Sequence, residues 1–348
     1  NMRKWLPVGL LVVAVLWLVA TAHLPPQDAS EEGAVPVREK LVVYSDMPPD
    51  IIQTLAEVYR NEQQVELTLV PLTGEQIITH LKSPGNTPAP DLVWASQATL
   101  QELARFDLLQ PYTSEQTDLV AQQFKDENGL WTGTWYIPIV FVVTNDYYHS
   151  TSKPLHSWQD LTAHNDVRIT MTDFVAADLF AELLYSMVEQ YGHAEAFRKL
   201  DFIHRHVVQY SKYLSTPVRV LAMQKSDVAI ADASTAREFM VQGLPLTMIY
   251  PQDGTAYYLY GIGIPKSTPR AQEVGALLNW VMEGHAFTPL HRKHYYFYYT
   301  GFPNSQVVDS ENRDLQLWPL HKAYTPTGRK ALLAAWLKEV RFAGKEVE

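Results

Sequence analysis

One stretch constrains this chain more than any other: Leu41-Val-Val-Tyr-Ser-Asp-Met-Pro-Pro-Asp50, a strand pattern that stops abruptly at small polar residues and then enters a helix. Pro48 and Pro49 suit a first helical turn, where the missing N–H would be unsatisfied anyway. The strand therefore ends with Ser45 and Asp46 beside free backbone N–H groups, at the carboxyl edge where open α/β sheets hold ligands.

The grammar recurs. Val65-Glu-Leu-Thr-Leu-Val70 is followed by Leu72-Thr-Gly-Glu75 and a helical run through Lys82, and Asp91-Leu-Val-Trp94 by Ala95-Ser96 and a helix over 99–106. Strands alternating with helical segments predict βαβ units and a mostly parallel sheet.

Asn128-Gly129 opens a different kind of sequence, Leu130 to Asn145, which is β-forming without a helix-length interruption and is expected to cross between domains. Beyond it α/β character returns. A strand is expected over 167–171, helices over 176–191, 194–204 and 216–223, and strands over 227–231 and 246–250. A second aromatic-rich β stretch, Tyr257 to Ile264, reads as a return crossing, and helices are expected over 271–284 and 328–340. Two lobes joined by crossing strands enclose a cleft.

The 348 residues suit two domains, and 47% apolar residues supply ample core. A net charge of −10, with no long basic run, argues against nucleic acid as a partner. No cysteine is present, which excludes disulfides, thiolate metal sites, Cys nucleophiles and a lipoprotein cysteine anchor.

Arg3 and Lys4 precede the uncharged apolar run Trp5 to Ala22. Positive residues stay cytoplasmic, so the chain beyond this run is expected in the periplasm or otherwise outside the cytoplasmic membrane. Ala20-Thr21-Ala22 fits a cleavage site, while the run is also nearly long enough to remain as a membrane tether.

Taken in order, the landmarks Val42-Val-Tyr-Ser45, Asp91-Leu-Val-Trp-Ala95, Val142-Val-Thr-Asn145, Ser157-Trp-Gln-Asp-Leu161, Val228-Ala-Ile-Ala-Asp232 and Pro251-Gln-Asp-Gly-Thr255 are shared with a known family. The chain resembles the extracytoplasmic solute-binding proteins of ABC importers, in the ferric-iron and sugar-phosphate branch, over about residues 40–303. The resemblance implies a two-lobe type II periplasmic-binding-protein fold, α/β, with hinge crossover strands and a helical C-terminal segment. It implies this division: a signal peptide or N-terminal membrane anchor (1–23), a linker (24–39), lobe 1 (40–142 plus 255–303), lobe 2 (143–254) and a C-terminal helical extension (304–348).

The family's ferric site takes a His after the first strand, a Glu after the third and an adjacent Tyr pair in the second lobe. The matching positions here hold Asp46 or Met47, Ala95-Ser96-Gln97 and Ala233-Ser234-Thr235. A hard trivalent cation needs anionic oxygen ligands, so iron is disfavoured, although Tyr257 and Tyr258 can be argued as displaced phenolates.

Short donors at strand ends remain: Ser45, Thr73, Gly74, Ser96, Thr172, Ser234 and Thr235. Helix N-termini of this kind bind anions, so the expected solute is phosphorylated or carboxylated. Asp46, Asp173 and Asp232 are expected to accept from sugar hydroxyls, and Trp94, Tyr257 or Tyr258 to cover an apolar face. Each Ser and Thr is also what an ordinary helix cap looks like, and capping without a ligand is the more frequent role.

His204 and His206, at i and i+2 on a helix, point apart, His291 and His294 lack nearby carboxylates, and the aromatic run 295–299 and the tail helix read as packing. No catalytic motif occurs, so an enzyme is not expected and no cofactor is assigned. The expected partner is an ABC permease, or a membrane histidine kinase should the N-terminal run be retained; a cationic solute such as a polyamine requires Asp46, Asp173 and Asp232 to converge without opposing N–H donors.

Overall fold

In the computed structural model the described residues are 36–301, 308–320 and 325–344. The apolar run Trp5 to Ala22 lies outside them. Among the described residues no helix is long and apolar enough to cross a membrane.

Lobe 1 opens with β1 (Glu39–Ser45), α1 (Pro49–Gln63), β2 (Val65–Pro71), α2 (Gly74–Lys82), β3 (Leu92–Ser96) and α3 (Gln97–Arg105). β1 pairs in parallel with β2 on one side and β3 on the other, so all three strands end at the same edge. Gln64 closes α1 in the left-handed conformation and the next residue starts β2. A two-residue strand, β4 (Leu109–Gln110), comes after α3.

β5 (Trp131–Thr144) is the crossing strand. Its first half pairs antiparallel with β10 (Tyr257–Pro265), and its second half with β8 (Val228–Asp232) and β9 (Leu246–Ile249). Residues 131–143 are all buried, as expected of a strand covered on both faces.

Lobe 2 holds β6 (Ile169–Thr172), α4 (Asp178–Tyr191), α5 (His193–His206), β7 (Val207–Ser211), α6 (Thr216–Ala222) and α7 (Ala233–Val241). β6 pairs in parallel with β7 and β8, so these too end at one edge. The continuous order β2-β1-β3-β10-β5-β8-β6-β7 places β10 and β5 in the middle.

β7 has no counterpart among the elements expected from the sequence. α5 runs directly into it with no Gly or Pro between, so nothing punctuates the change from helical to extended period. The aromatic run 295–299 contributes only β11 (Tyr298–Tyr299), paired to Tyr136 and Trp135.

At the hinge, Thr255 Oγ1 donates to the Ile139 carbonyl at 2.6 Å, and Ile139 N–H to that of Ala256 at 3.0 Å. The chain beyond β11 returns here: Thr255 N–H donates to Gln316 O and Trp318 N–H to Thr255 O. Helices α8 (Ala271–Met282) and α9 (Phe287–Arg292) complete lobe 1, and α10 (Pro326–Trp336), extended by a wider turn over Leu337–Arg341, packs on lobe 2.

Candidate functional site

The register fixes where the two carboxyl edges meet. Ser96 at the end of β3 lies opposite Tyr260 on β10, which lies opposite Trp135 on β5; Asp232 at the end of β8 lies opposite Ile139. Four residues of one strand, about 13 Å, separate the two levels. The ends of β3 and β8 therefore flank a gap spanned by β5 and β10.

On the lobe 1 side a tight cluster forms around Asp46. Its Oδ1 accepts from Ser96 N–H at 3.0 Å, while Oδ2 accepts from Ser96 Oγ at 3.0 Å and Thr99 Oγ1 at 3.1 Å. Burial pushes the Asp46 carboxyl up, against the pull of the Ser96 and Thr99 hydrogen bonds. Thr73 caps α2 through a reciprocal pair with Gln76, its Oγ1 accepting from Gln76 N–H at 3.1 Å. The first residue of α2, Gly74, is so close to Thr99 Oγ1 that a methyl group would overlap it. The ends of β1 and β3 and the start of α2 thus touch, bringing together Asp46, Gly74 and Ser96. Ser45 is spent on the turn, its Oγ accepting from Met47 N–H at 3.2 Å.

On the lobe 2 side Asp232 caps α7, Oδ2 accepting from Thr235 N–H at 2.9 Å. Its Oδ1 is buried and has no hydrogen-bond partner. Burial pushes this carboxyl up as well, against the Thr235 hydrogen bond. Ser234 Oγ accepts from the Tyr296 N–H at 3.0 Å, tying α7 to the segment after α9.

Thr172 and Asp173 stand apart from this group. Thr172 is fully buried and donates to Tyr213 O at 3.1 Å, and Asp173 takes Val175 N–H at 3.0 Å and Arg341 Nε at 3.3 Å. The C-terminal segment thus already occupies the Asp173 carboxylate.

The aromatic residues sort by strand phase. Trp94 has no exposed surface: its indole N–H donates to Thr134 Oγ1 at 3.1 Å and its ring lies 5.1 Å from that of Trp135. Tyr257 packs against Phe124 and Tyr136 at 5.5 and 5.8 Å. Neither covers a ligand face in this arrangement. Tyr258 and Tyr260 share the other face of β10, their rings edge to face at 5.2 Å.

Burial drives both phenols up, and nearby carboxylates drive them further: Asp46 and Asp178 at Tyr258, and Asp46, Asp178 and Asp232 at Tyr260. Ser96 hydrogen-bonds the Tyr258 side chain and works in the opposite direction. Tyr260, Thr99 and Asp178 join the candidate site and are absent from the sequence-based set, and Tyr258 entered that set only as an alternative to Tyr257. Period-two alternation separates Tyr257 from Tyr258, but does not tell which of them faces the gap.

A family model described as bacterial extracellular solute-binding protein matches residues 54–319. The chain belongs to this family. An uncharacterized protein of Haemophilus influenzae (strain ATCC 51907 / DSM 11121 / KW20 / Rd) is 23% identical over 332 residues, 89% of this chain and 93% of that one. Among solved structures, the periplasmic binding protein AfuA from Actinobacillus pleuropneumoniae, with exogenous fructose-6-phosphate bound, superposes at TM-score 0.68 with 20% identity, covering 88% of this chain and all of that one. A Bordetella ferric binding protein reaches TM-score 0.70 at 14% identity, covering 85% and 97%. The type II fold expected from the sequence is the fold found.

In this solute-binding protein the gap offers carboxylate acceptors at Asp46 and Asp232, phenols held protonated at Tyr258 and Tyr260, and the N-termini of α2, α3 and α7. Among the described residues no three His, Asp or Glu side chains gather as metal ligands. The set suits a solute carrying both hydroxyl donors and an anionic group.

Proposed function

We propose that this exported protein captures a small phosphorylated, polyhydroxylated solute such as a sugar phosphate between its lobes and presents it to an ABC permease. The observation that carries the reading is the Asp232 carboxylate, whose buried Oδ1 lacks a donor, while Asp46 on the opposite lobe acts, as Asp232 does, on the Tyr260 phenol between them. A buried acceptor without a partner costs about 1–3 kcal/mol, which a solute hydroxyl would relieve. The anionic group would rest on helix N-termini, as at other anion sites. The fructose-6-phosphate bound by AfuA, a protein of the same fold, agrees with this chemistry.

Ferric iron is the weaker reading. Fe(III) selects anionic phenolate, and here burial and carboxylate neighbours both favour the protonated phenol. A polyamine is weaker too, because backbone N–H groups already oppose Asp46 and Asp232, and Arg341 holds Asp173. Binding rather than catalysis is the role assigned. Retention of Trp5 to Ala22 in the mature protein would tether it and favour a sensor working with a membrane histidine kinase; the mass of the mature chain decides between the two.

The test is a melting screen of the full chain in detergent against sugar phosphates, inorganic phosphate, ferric citrate and spermidine. A ligand at a hundred times its dissociation constant adds about 2.7 kcal/mol. Stabilisation by sugar phosphates is the expected result; stabilisation by ferric citrate or spermidine alone would overturn the reading.

A further inference from the structure

The two edges of β5 decide where the aromatic run after α9 comes to lie. At Ile139 one edge is met by Ala256, which leads into β10, so Asp232 at the end of β8 meets the other. At Tyr136 and Trp135 that first edge carries Leu259 and Tyr260 of β10, so β11 lies on the edge that β8 has left. The run therefore enters the sheet just past Asp232. There the Tyr296 N–H, bonded to Ser234 Oγ at 3.0 Å, ties it to the N-terminus of α7 on lobe 2, while α9 before it packs on α1 of lobe 1.

Register also fixes which side chains face the gap. Ser96, Tyr260, Trp135 and Tyr299 lie opposite one another in a row across β3, β10, β5 and β11, so their side chains share one face. Ser96 Oγ, bonded to Asp46 at 3.0 Å, marks that face as the one toward the gap. Alternation back along the run places Phe297 and Tyr295 on it with Tyr299. The rings agree: those of Tyr299 and Phe297 lie 5.9 and 5.3 Å from that of Trp135, and that of Tyr295 lies 5.5 Å from that of Phe297. Phe297 and Tyr299 are buried, whereas Tyr295, at the end of the row, keeps part of its surface open. Burial pushes its phenol up, and the Asp50 carboxylate in the first turn of α1 pushes it further.

We propose that Tyr295 is the aromatic wall of the gap, its ring covering the apolar face of the sugar and setting a preference for cyclic over acyclic phosphorylated solutes. Trp94 and Tyr257 are consumed by packing, and the rings of Tyr258 and Tyr260 meet each other edge to face, which leaves the half-open Tyr295 to fill this role. An aromatic ring offers a large rigid surface whose negative face suits the C–H groups of a sugar ring. The Ser234 bond holds that surface at a fixed place relative to the Asp232 acceptor at the start of the same helix. A tyrosine serving only to pack the run would affect all ligands alike, whatever their shape.

This inference rests on the reading of the solute as a sugar phosphate, and calorimetric titration of the full chain with fructose 6-phosphate and with glycerol 3-phosphate tests the two separately. The wild-type protein is expected to bind the sugar phosphate more tightly. Tyr295→Ala should weaken fructose 6-phosphate about tenfold, the scale of one aromatic contact, and glycerol 3-phosphate by no more than about twofold. Tyr295→Phe, which keeps the ring and loses the hydroxyl, should retain the discrimination; a Phe variant as weak as the Ala variant would assign the effect to the hydroxyl and overturn the wall. No wild-type preference, or a folded Tyr295→Ala protein that loses both ligands equally or neither, overturns this inference alone. A wild-type protein that binds no sugar phosphate overturns the reading of the solute and this inference with it.

Discussion

Replacing Gly74 by alanine should damage the Asp46 cluster through a single neighbour. The added methyl falls well inside 3 Å of Thr99 Oγ1, while Thr99 Cβ lies 3.7 Å away and Asp46 Oδ2 3.5 Å away, both ordinary contacts. Thr99 is 4% exposed, so its hydroxyl has no open space to turn into. Displacing it loses the 3.1 Å bond to Asp46 and the 3.2 Å contact with Ser96 Oγ. A hydrogen bond to a charged group is worth about 1.5–3 kcal/mol, and alanine returns at most about 1 kcal/mol of helix propensity. The net expectation is a loss of about 1–2 kcal/mol. In a Thr99→Ala background no hydroxyl remains to displace, and the same substitution should be neutral or slightly stabilising. Denaturant titration of the wild type, both single variants and the double variant gives the coupling directly. Equal cost of Gly74→Ala in both backgrounds would refute the contact and the cradle argued from it.

The buried carboxylates carry two more expected outcomes, and the hinge a third. Burial raises the folded-state value of Asp46 above its ordinary 3.8, so the folded protein holds the proton more tightly than the unfolded chain. That contribution is present below 3.8 and lost as pH rises through the raised value. Asp46→Asn should therefore be more stable than wild type at pH 7, with the gap closing towards pH 4 in a series of melts. Asp232→Asn keeps a cap for α7 but presents a donor where Oδ1 would accept from a solute hydroxyl; calorimetry should show at least tenfold weaker sugar-phosphate binding, and unchanged affinity would remove Asp232 from the site. Gly254 has φ +93°, and a methyl there would strike the Trp318 indole, so Gly254→Ala should cost about 2–4 kcal/mol by denaturant titration.

Much of the fold is legible in the sequence because strand ends and helix starts carry local signals. Ser45-Asp46 followed by Pro48-Pro49, Thr73 three residues before Gln76, and the unbroken β run ending at Thr144 each state an element and its boundary. The illegible part depends on through-space phase. Trp94 lies on a strand buried on both faces, so its chemistry as a potential platform says nothing about its access. Tyr257 and Tyr258 are indistinguishable by type and are separated only by which face of β10 looks into the gap. Thr172 and Asp173 show the same strand-end pattern as Asp232, yet the return of the C-terminal segment, more than 150 residues later, engages Asp173.

Amide hydrogen exchange of the full chain with and without saturating fructose 6-phosphate tests capture between the lobes most directly. The account predicts new protection at the starts of α2 and α3 on lobe 1 and of α7 on lobe 2 together, with Tyr258 and Tyr260 on the strand between them. Protection confined to one lobe, or to the cavity of about 460 Å3 lined by Tyr59, Gln63, Asn279 and Trp280 at the opposite end of the lobe 1 sheet, would contradict it.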